Sequence, residues 1–279
     1  MEKTLLRIVI PWDFTPVAEN ALKYALSTCK ARENYRIDLV HVLSTGGMFA
    51  KDKLTKEEAE VELSKEISRI SHEYGSVVFG KALEGSIFNT IAEYADESRA
   101  DFVFMGTHGI KGVQKLTGSW ALKVIAGSNV PFIVVQDEPP VGKKNVFEHI
   151  IVPVDYRAES KELVIKAVKT AIHFDSTIHL FKQNANDQGV LKKINSNMLF
   201  AKNQMEEYKI PFEQHFAKKT SGFGNDIVKL AEDVSADLIL VMTTKNIDIS
   251  DYIFGAQEQF IIANEAKFPV LCFNPSMVR

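Results

Sequence analysis

FVFMGTHGIKGVQKLTGSWALKVIAGSNVPFIVV, residues 102–135, is the stretch that decides the fold. It opens on a short apolar run, Phe102–Met105, of the length of a buried strand. Gly106, Gly109, Gly112 and Gly118 stud the loop that follows. Ser119 then begins a segment with apolar residues at helical spacing: Ala121, Leu122, Val124 and Ile125. Asn129 and Pro131 end that segment, and Phe132–Val135 is a second apolar run. A strand, a glycine-rich loop, a helix start and another strand form a unit whose backbone N–H groups can receive a phosphate.

The rest of the first half leads up to this unit. Arg7–Trp12 is an apolar strand that ends at Asp13, and Thr15-Pro16 supplies a helix cap and a proline at the first helical position. Ala18, Ala21, Leu22, Ala25 and Leu26 then place one face of a helix on the core. Ile37–Leu43 reads as a second strand. Thr55 and Glu58 form a capping box for a helix that runs to about Tyr74, with the apolar stripe Ala59, Leu63, Ile67, Ile70. Ser76–Leu83 is a third strand, and Gly85-Ser86 opens a helix through Ile87, Ile91 and Ala95.

The second half repeats the order. His149–Val154 ends at Asp155 as the first strand ends at Asp13. Leu163–Ile172 and Val190–Tyr208 read as helices, and Thr177–Phe181, Pro211–Lys218 and Leu238–Val241 as strands. The segment from Asn89 to Asp101 matches the segment from Asn225 to Asp237, and each half closes on a proline followed by an apolar strand. A register that holds this far points to a tandem duplication. Strands alternating with helices predict parallel sheets built from right-handed βαβ units. Continuous apolar strands predict sheets covered on both faces. The predicted domains are residues 1–139 and 147–279, joined by the polar linker Asp137–Phe147.

Composition excludes several classes. The 279 residues are 46% hydrophobic and 25% charged, which is the range of an ordinary soluble globular protein. A net charge of −3 gives no electrostatic case for nucleic acid or an anionic membrane. There is no signal-peptide pattern and no apolar run of membrane-spanning length. Cys29 and Cys272 sit in apolar surroundings far apart in the chain, which suits a reducing cytoplasm. His41 and His179 read as equivalent strand positions, core or sheet-surface residues, and no metal-ligand cluster stands out in the spacing. His108 has no second catalytic group at a readable spacing, so no catalytic residue is assigned.

Asp13 at a strand end, His41-Val42, and Met105-Gly-Thr-His-Gly109 followed by Gly118-Ser119 together resemble the universal stress protein family. The resemblance covers both halves. It implies an α/β fold of two tandem, doubly wound, Rossmann-like domains. Each would hold a five-stranded parallel sheet in the order 3-2-1-4-5, with a ligand crevice between strands 1 and 4. It also implies a cytoplasmic role in stress survival and, in one branch, binding of an adenine nucleotide, ATP or AMP, with Mg2+ if ATP. Carried over by position, Pro11, Asp13 and Val42 line the adenosine part. Met105, Gly106, Gly109, Gly118 and Ser119 line the phosphates.

Two departures matter. Eight residues separate Gly109 from Gly118, one fewer than in that branch's pattern, which favours the adenosine end of the site over the triphosphate end. In the second half Met242 and Lys245 stand at the places of Gly106 and Gly109, and Gly255-Ala256 replaces Gly118-Ser119. A degenerate, non-binding second half is therefore expected. In this family the last strands of two copies pair, so the two halves are expected to pair internally through their closing strands; a homodimer of the whole chain stays open. The rival readings are a stress-response interaction protein that binds no nucleotide and, further off, a slow ATPase.

Overall fold

A computed structural model describes residues 5–30, 34–44, 54–107, 124–143, 145–218, 222–245, 252–253 and 256–275. The chain divides into two compact units, Met1–Pro139 and Pro140–Arg279. The first holds β1 (Leu6–Pro11), α1 (Pro16–Cys29), β2 (Tyr35–Ser44), α2 (Lys56–Tyr74), β3 (Phe79–Gly85), α3 (Ile87–Glu97), β4 (Phe102–Gly106) and β5 (Phe132–Val135). Its strands are parallel and lie in the order β3-β2-β1-β4-β5.

The second unit holds β6 (His149–Val154), α4 (Glu159–Phe174), β7 (Thr177–Lys182), α5 (Gln188–Glu207), β8 (Phe212–Phe216), α6 (Phe223–Asp233) and β9 (Leu238–Met242). It continues with β10 (Thr244–Lys245), β11 (Tyr252–Ile253), α7 (Ala256–Ile262) and β12 (Val270–Phe273). Its parallel strands run β8-β7-β6-β9-β12, which is the same order once the strands are matched.

Local chemistry explains these elements. In α2, the Glu58 N–H donates to Thr55 Oγ1 at 3.2 Å and the Thr55 N–H donates to Glu58 Oε2 at 2.8 Å, the reciprocal cap expected from the sequence. Gly75 ends α2 at φ +64°, a left-handed residue that a side chain would strain. In α1 the predicted stripe is buried at Ala18, Ala21, Leu22 and Ala25, while Leu26 is half-buried. β4 from Phe102 to Met105 and all of β5 are apolar and buried, as strands covered on both faces must be.

One device recurs in both units and sets strand 4 beside strand 1. Asp101 Oδ2 accepts the Arg7 N–H at 2.8 Å, and the Asp101 N–H donates to Arg7 O at 2.8 Å. Asp237 does the same for β6. Its Oδ2 accepts from the N–H groups of Glu148 (3.1 Å) and His149 (3.0 Å), and its own N–H donates to His149 O at 2.8 Å.

The structure differs from the sequence reading at several edges. β3 spans Phe79–Gly85 and not residues 76–83, because pairing from Asp38↔Phe79 to Ser44↔Gly85 sets its limits, while Val77 is 67% exposed. α4 and α5 begin earlier than their apolar stripes, and Asp187 caps α5 by accepting the Val190 N–H at 2.8 Å. The polar linker ends before Val146, since Val146 and Phe147 are buried and the Phe147 ring packs edge-on against Phe174. The antiparallel pair β10–β11 was not expected; the second half spends on this ribbon residues that have a glycine loop as counterpart in the first.

Candidate functional site

In the first unit, β1 and β4 pair at Ile8↔Phe102 and Val9↔Val103 and then separate. Beyond that point β1 stays with β2 as far as Pro11↔Val40, and β4 stays with β5 as far as Gly106↔Val135. A crevice therefore opens at the carboxyl ends of the strands where the chain order reverses, the place where open α/β sheets take ligands. Pro11 and Asp13 stand on its β1 side, Val42 lies two residues past the partner of Pro11 on β2, and Met105 and Gly106 end β4. Gly109, Gly118 and Ser119 lie outside the described residues.

Asp13 is exposed. Its Oδ1 accepts from the Thr15 N–H at 3.1 Å and from the Thr15 hydroxyl at 2.5 Å, a local turn that leads the chain into α1. Between them Phe14 has φ +60°, a strained backbone for a bulky residue, and its ring rests on His41 with centroids 5.0 Å apart. His41 is buried, and its Nδ1 lies 2.8 Å from Trp12 O, so Nδ1 carries the proton and Nε2 the lone pair. Among the described residues neither His41 Nε2 nor the equally buried Trp12 Nε1 has a hydrogen-bond partner. An unpaired acceptor and an unpaired donor thus sit at the carboxyl ends of β1 and β2. Position alone ranks neither residue above its neighbours in the sequence.

Gly106 has a second role that the sequence reading did not assign. A Cβ there would lie 1.9 Å from Val17 O and 2.3 Å from Val17 C, both backbone atoms at the start of α1. The glycine lets α1 settle onto β4 before any ligand arrives.

The second unit splays its strands in the same way: β6 meets β9 only at Ile150↔Leu238 and Ile151↔Ile239. Its crevice is filled from within. Met242 brings a buried side chain to the position of Gly106, so the first turn of α4 cannot approach β9 as α1 approaches β4. Arg157, the counterpart of Thr15, spans the gap. Its Nε donates to Asp155 Oδ2 at 2.6 Å and its Nη1 meets Glu258 Oε1 of α7 at 2.7 Å. Burial works against the charge on Arg157, but Asp155 and Glu258 outweigh it and raise the pKa. Asn197 of α5 donates to the carbonyls of Asp155 (2.8 Å) and Arg157 (2.9 Å) and pins the turn. A small gap bordered by Asp155, Arg157, Met242 and Glu258 remains beside them.

The sheet register also corrects one correspondence. Val9 pairs with Asp38, and Ile151, its counterpart, pairs with His179. His179 therefore matches Asp38 and not His41.

Residues 5–136 match the sequence model of the universal stress protein family. A universal stress protein of Methanocaldococcus jannaschii is 34% identical over 144 residues, which are 48% of this chain and 84% of that protein. Two solved structures share the fold across the whole chain. A universal stress protein from Archaeoglobus fulgidus DSM 4304 has a TM-score of 0.74 at 16% identity, covering 97% of this chain and 98% of its own. A protein of unknown function from Pseudomonas aeruginosa PAO1 has a TM-score of 0.63 at 14% identity, covering 98% and 93%. Among the described residues no helix is long and apolar enough to cross a membrane.

Proposed function

The chain belongs to the universal stress protein family, and on that premise we propose that its first unit binds one adenine nucleotide in a cytoplasmic stress response. The adenosine lies between the ends of β1 and β4, against Pro11, Asp13 and Val42. The phosphates run toward Met105, Gly106, Gly109, Gly118 and Ser119, with Mg2+ if the ligand is ATP. The observation that carries this reading is the contrast between two crevices of one topology. In the second, Asp155, Arg157 and Glu258 fill the space with their own charges. In the first, Asp13 is exposed and two buried polar atoms, Trp12 Nε1 and His41 Nε2, have no hydrogen-bond partner among the described residues. Buried polar groups are ordinarily paired, so an unpaired donor and acceptor beside a crevice favour a polar ligand. On this reading the role is binding and signalling in place of turnover.

Calorimetric titration of the purified chain with ATP, and separately with AMP, tests this. The expected stoichiometry is one nucleotide per chain, and Gly118→Met is expected to weaken ATP more than AMP because it burdens the phosphate end. Absence of heat with either nucleotide at millimolar concentration would sink the reading, and a stoichiometry of two would sink the assignment of the second crevice as closed.

A further inference from the structure

Away from both crevices, three strands of the second sheet bring together side chains from distant parts of the sequence. His149 on β6, His179 on β7 and His215 on β8 form a row on one face of the sheet, and Glu213 joins them beside His179. His179 Nδ1 lies 3.1 Å from His215 Nε2 and 3.7 Å from Glu213 Oε2, and His215 Nε2 lies 3.6 Å from the same oxygen. We propose that His179 Nδ1, His215 Nε2 and Glu213 Oε2 form a zinc site with its fourth position open to solvent.

Zinc holds imidazole nitrogen and carboxylate oxygen at about 2.0–2.2 Å in a tetrahedron, which sets donors about 3.3–3.5 Å apart. The three observed separations bracket that value, and a point equidistant from the three atoms lies about 2.0 Å from each. An ion displaced slightly out of their plane would meet all three without moving the backbone. Two imidazoles and one carboxylate suit a borderline cation, whereas Mg2+ and Ca2+ take mainly oxygen donors.

The surroundings favour the same ion. His179 Nε2 is 3.1 Å from His149 Nδ1. With Nε2 protonated, His179 donates to His149 and keeps the lone pair of Nδ1 for the metal, the outer hydrogen bond that orients most metal-bound histidines. The donors are graded in exposure: the side chains of His179, His215 and Glu213 are 4%, 23% and 63% exposed. One ligand is anchored in the sheet and one reaches solvent, which leaves a path of entry. The first unit lacks the set, since the residues in the same register are Asp38, Phe79 and Lys81. The site is thus a property of the second unit and does not depend on nucleotide binding by the first. Its position would tie β8, an edge strand of its own unit, to β7.

The test uses the full chain, stripped with a chelator and dialysed, and titrated with Co2+ followed by Zn2+. The expected result is one Co2+ per chain with the intense visible absorption of a four-coordinate ion, displaced by Zn2+, and a melting temperature that rises with Zn2+ concentration. Glu213→Gln and His215→Ala, both at the accessible side of the site, are each expected to weaken binding about tenfold or more. His72→Ala, on the exposed face of α2, serves as a control for adventitious binding by surface histidines and is expected to change nothing. Failure to take up Co2+ saturably, a weak six-coordinate spectrum, or binding unchanged in both ligand variants would overturn the proposal.

Discussion

Replacing Gly106 by alanine separates the two roles that the glycine could have. The added Cβ would lie 1.9 Å from Val17 O, 2.3 Å from Val17 C and 3.0 Å from Ala18 N. Backbone atoms cannot turn aside as a side chain can, so α1 or β4 must move by more than an ångström. Neither is free to move. α1 is seated by Ala18, Ala21, Leu22 and Ala25, none more than 3% exposed, and β4 is paired on both sides. Overpacking a well-filled core costs about 1–3 kcal/mol, and a clash between backbones belongs at the upper end, about 3 kcal/mol. At roughly 2–4 °C per kcal/mol for chains of this size, the melting transition of the first unit falls by about 6–12 °C. Gly80→Ala is an internal comparison. Its Cβ would meet the end of the Ile67 side chain, Cδ1, at 2.8 Å and Leu63 Cβ at 3.2 Å, and Ile67 can rotate away. Circular dichroism melts of both variants, with urea unfolding as a second axis, measure the difference. A Gly106→Ala melt within about 2 °C of the parent would refute the packing argument. The glycine would then serve the ligand alone, and the variant should fold normally while losing nucleotide.

Arg157→Met leaves the Asp155 and Glu258 carboxylates, with side chains 11% and 9% exposed, facing each other without their cation. Arg157 itself is 28% exposed, so the loss at neutral pH is expected at about 2–4 kcal/mol, below the full cost of orphaning a buried pair. Urea unfolding at neutral pH that shows no such loss contradicts the network. Thr55→Ala removes the acceptor of the Glu58 N–H at the start of α2 and is expected to cost about 1 kcal/mol, read from the urea midpoint at unchanged slope. No change there would mean that the reciprocal bond from Thr55 N–H to Glu58 holds the cap by itself.

Much of the fold was legible because it rests on local signals. The apolar runs of β4 and β5, the stripe of α1 and the Thr55–Glu58 cap are each set by residues within a turn or two of one another, and the structure keeps them. The repeated aspartate before strand 4 was visible as a sequence match, and its work on the backbone of strand 1 follows from pairing. What was not legible depends on register across strands. His179 looked like the counterpart of His41 because both sit in the second strand of their half, yet the connection before β7 is shorter and the ladder aligns His179 with Asp38. The row His149, His179, His215 required two inter-strand registers at once, and no spacing along the chain encodes them. Arg157 and Glu258 were missed for a related reason, since their partnership joins the start of α4 to α7.

The two crevices differ at one early position, Thr15 in the first unit and Arg157 in the second. Both units end strand 1 on an aspartate whose carboxylate caps the residue two places on: Asp13 accepts from Thr15 N–H, and Asp155 from Arg157 N–H. With threonine at that place, the side chain turns back to the same carboxylate through a hydroxyl and reaches no further. With arginine, the side chain crosses the crevice and neutralises a second carboxylate on α7. The consequence is electrostatic as well as steric. A nucleotide brings several negative charges, and Glu258 would place another beside them, while the cation that could offset them is already engaged twice. Displacing Arg157 would orphan two buried carboxylates, a cost that any ligand entering the second crevice would have to offset. Thr15 imposes no such cost in the first unit.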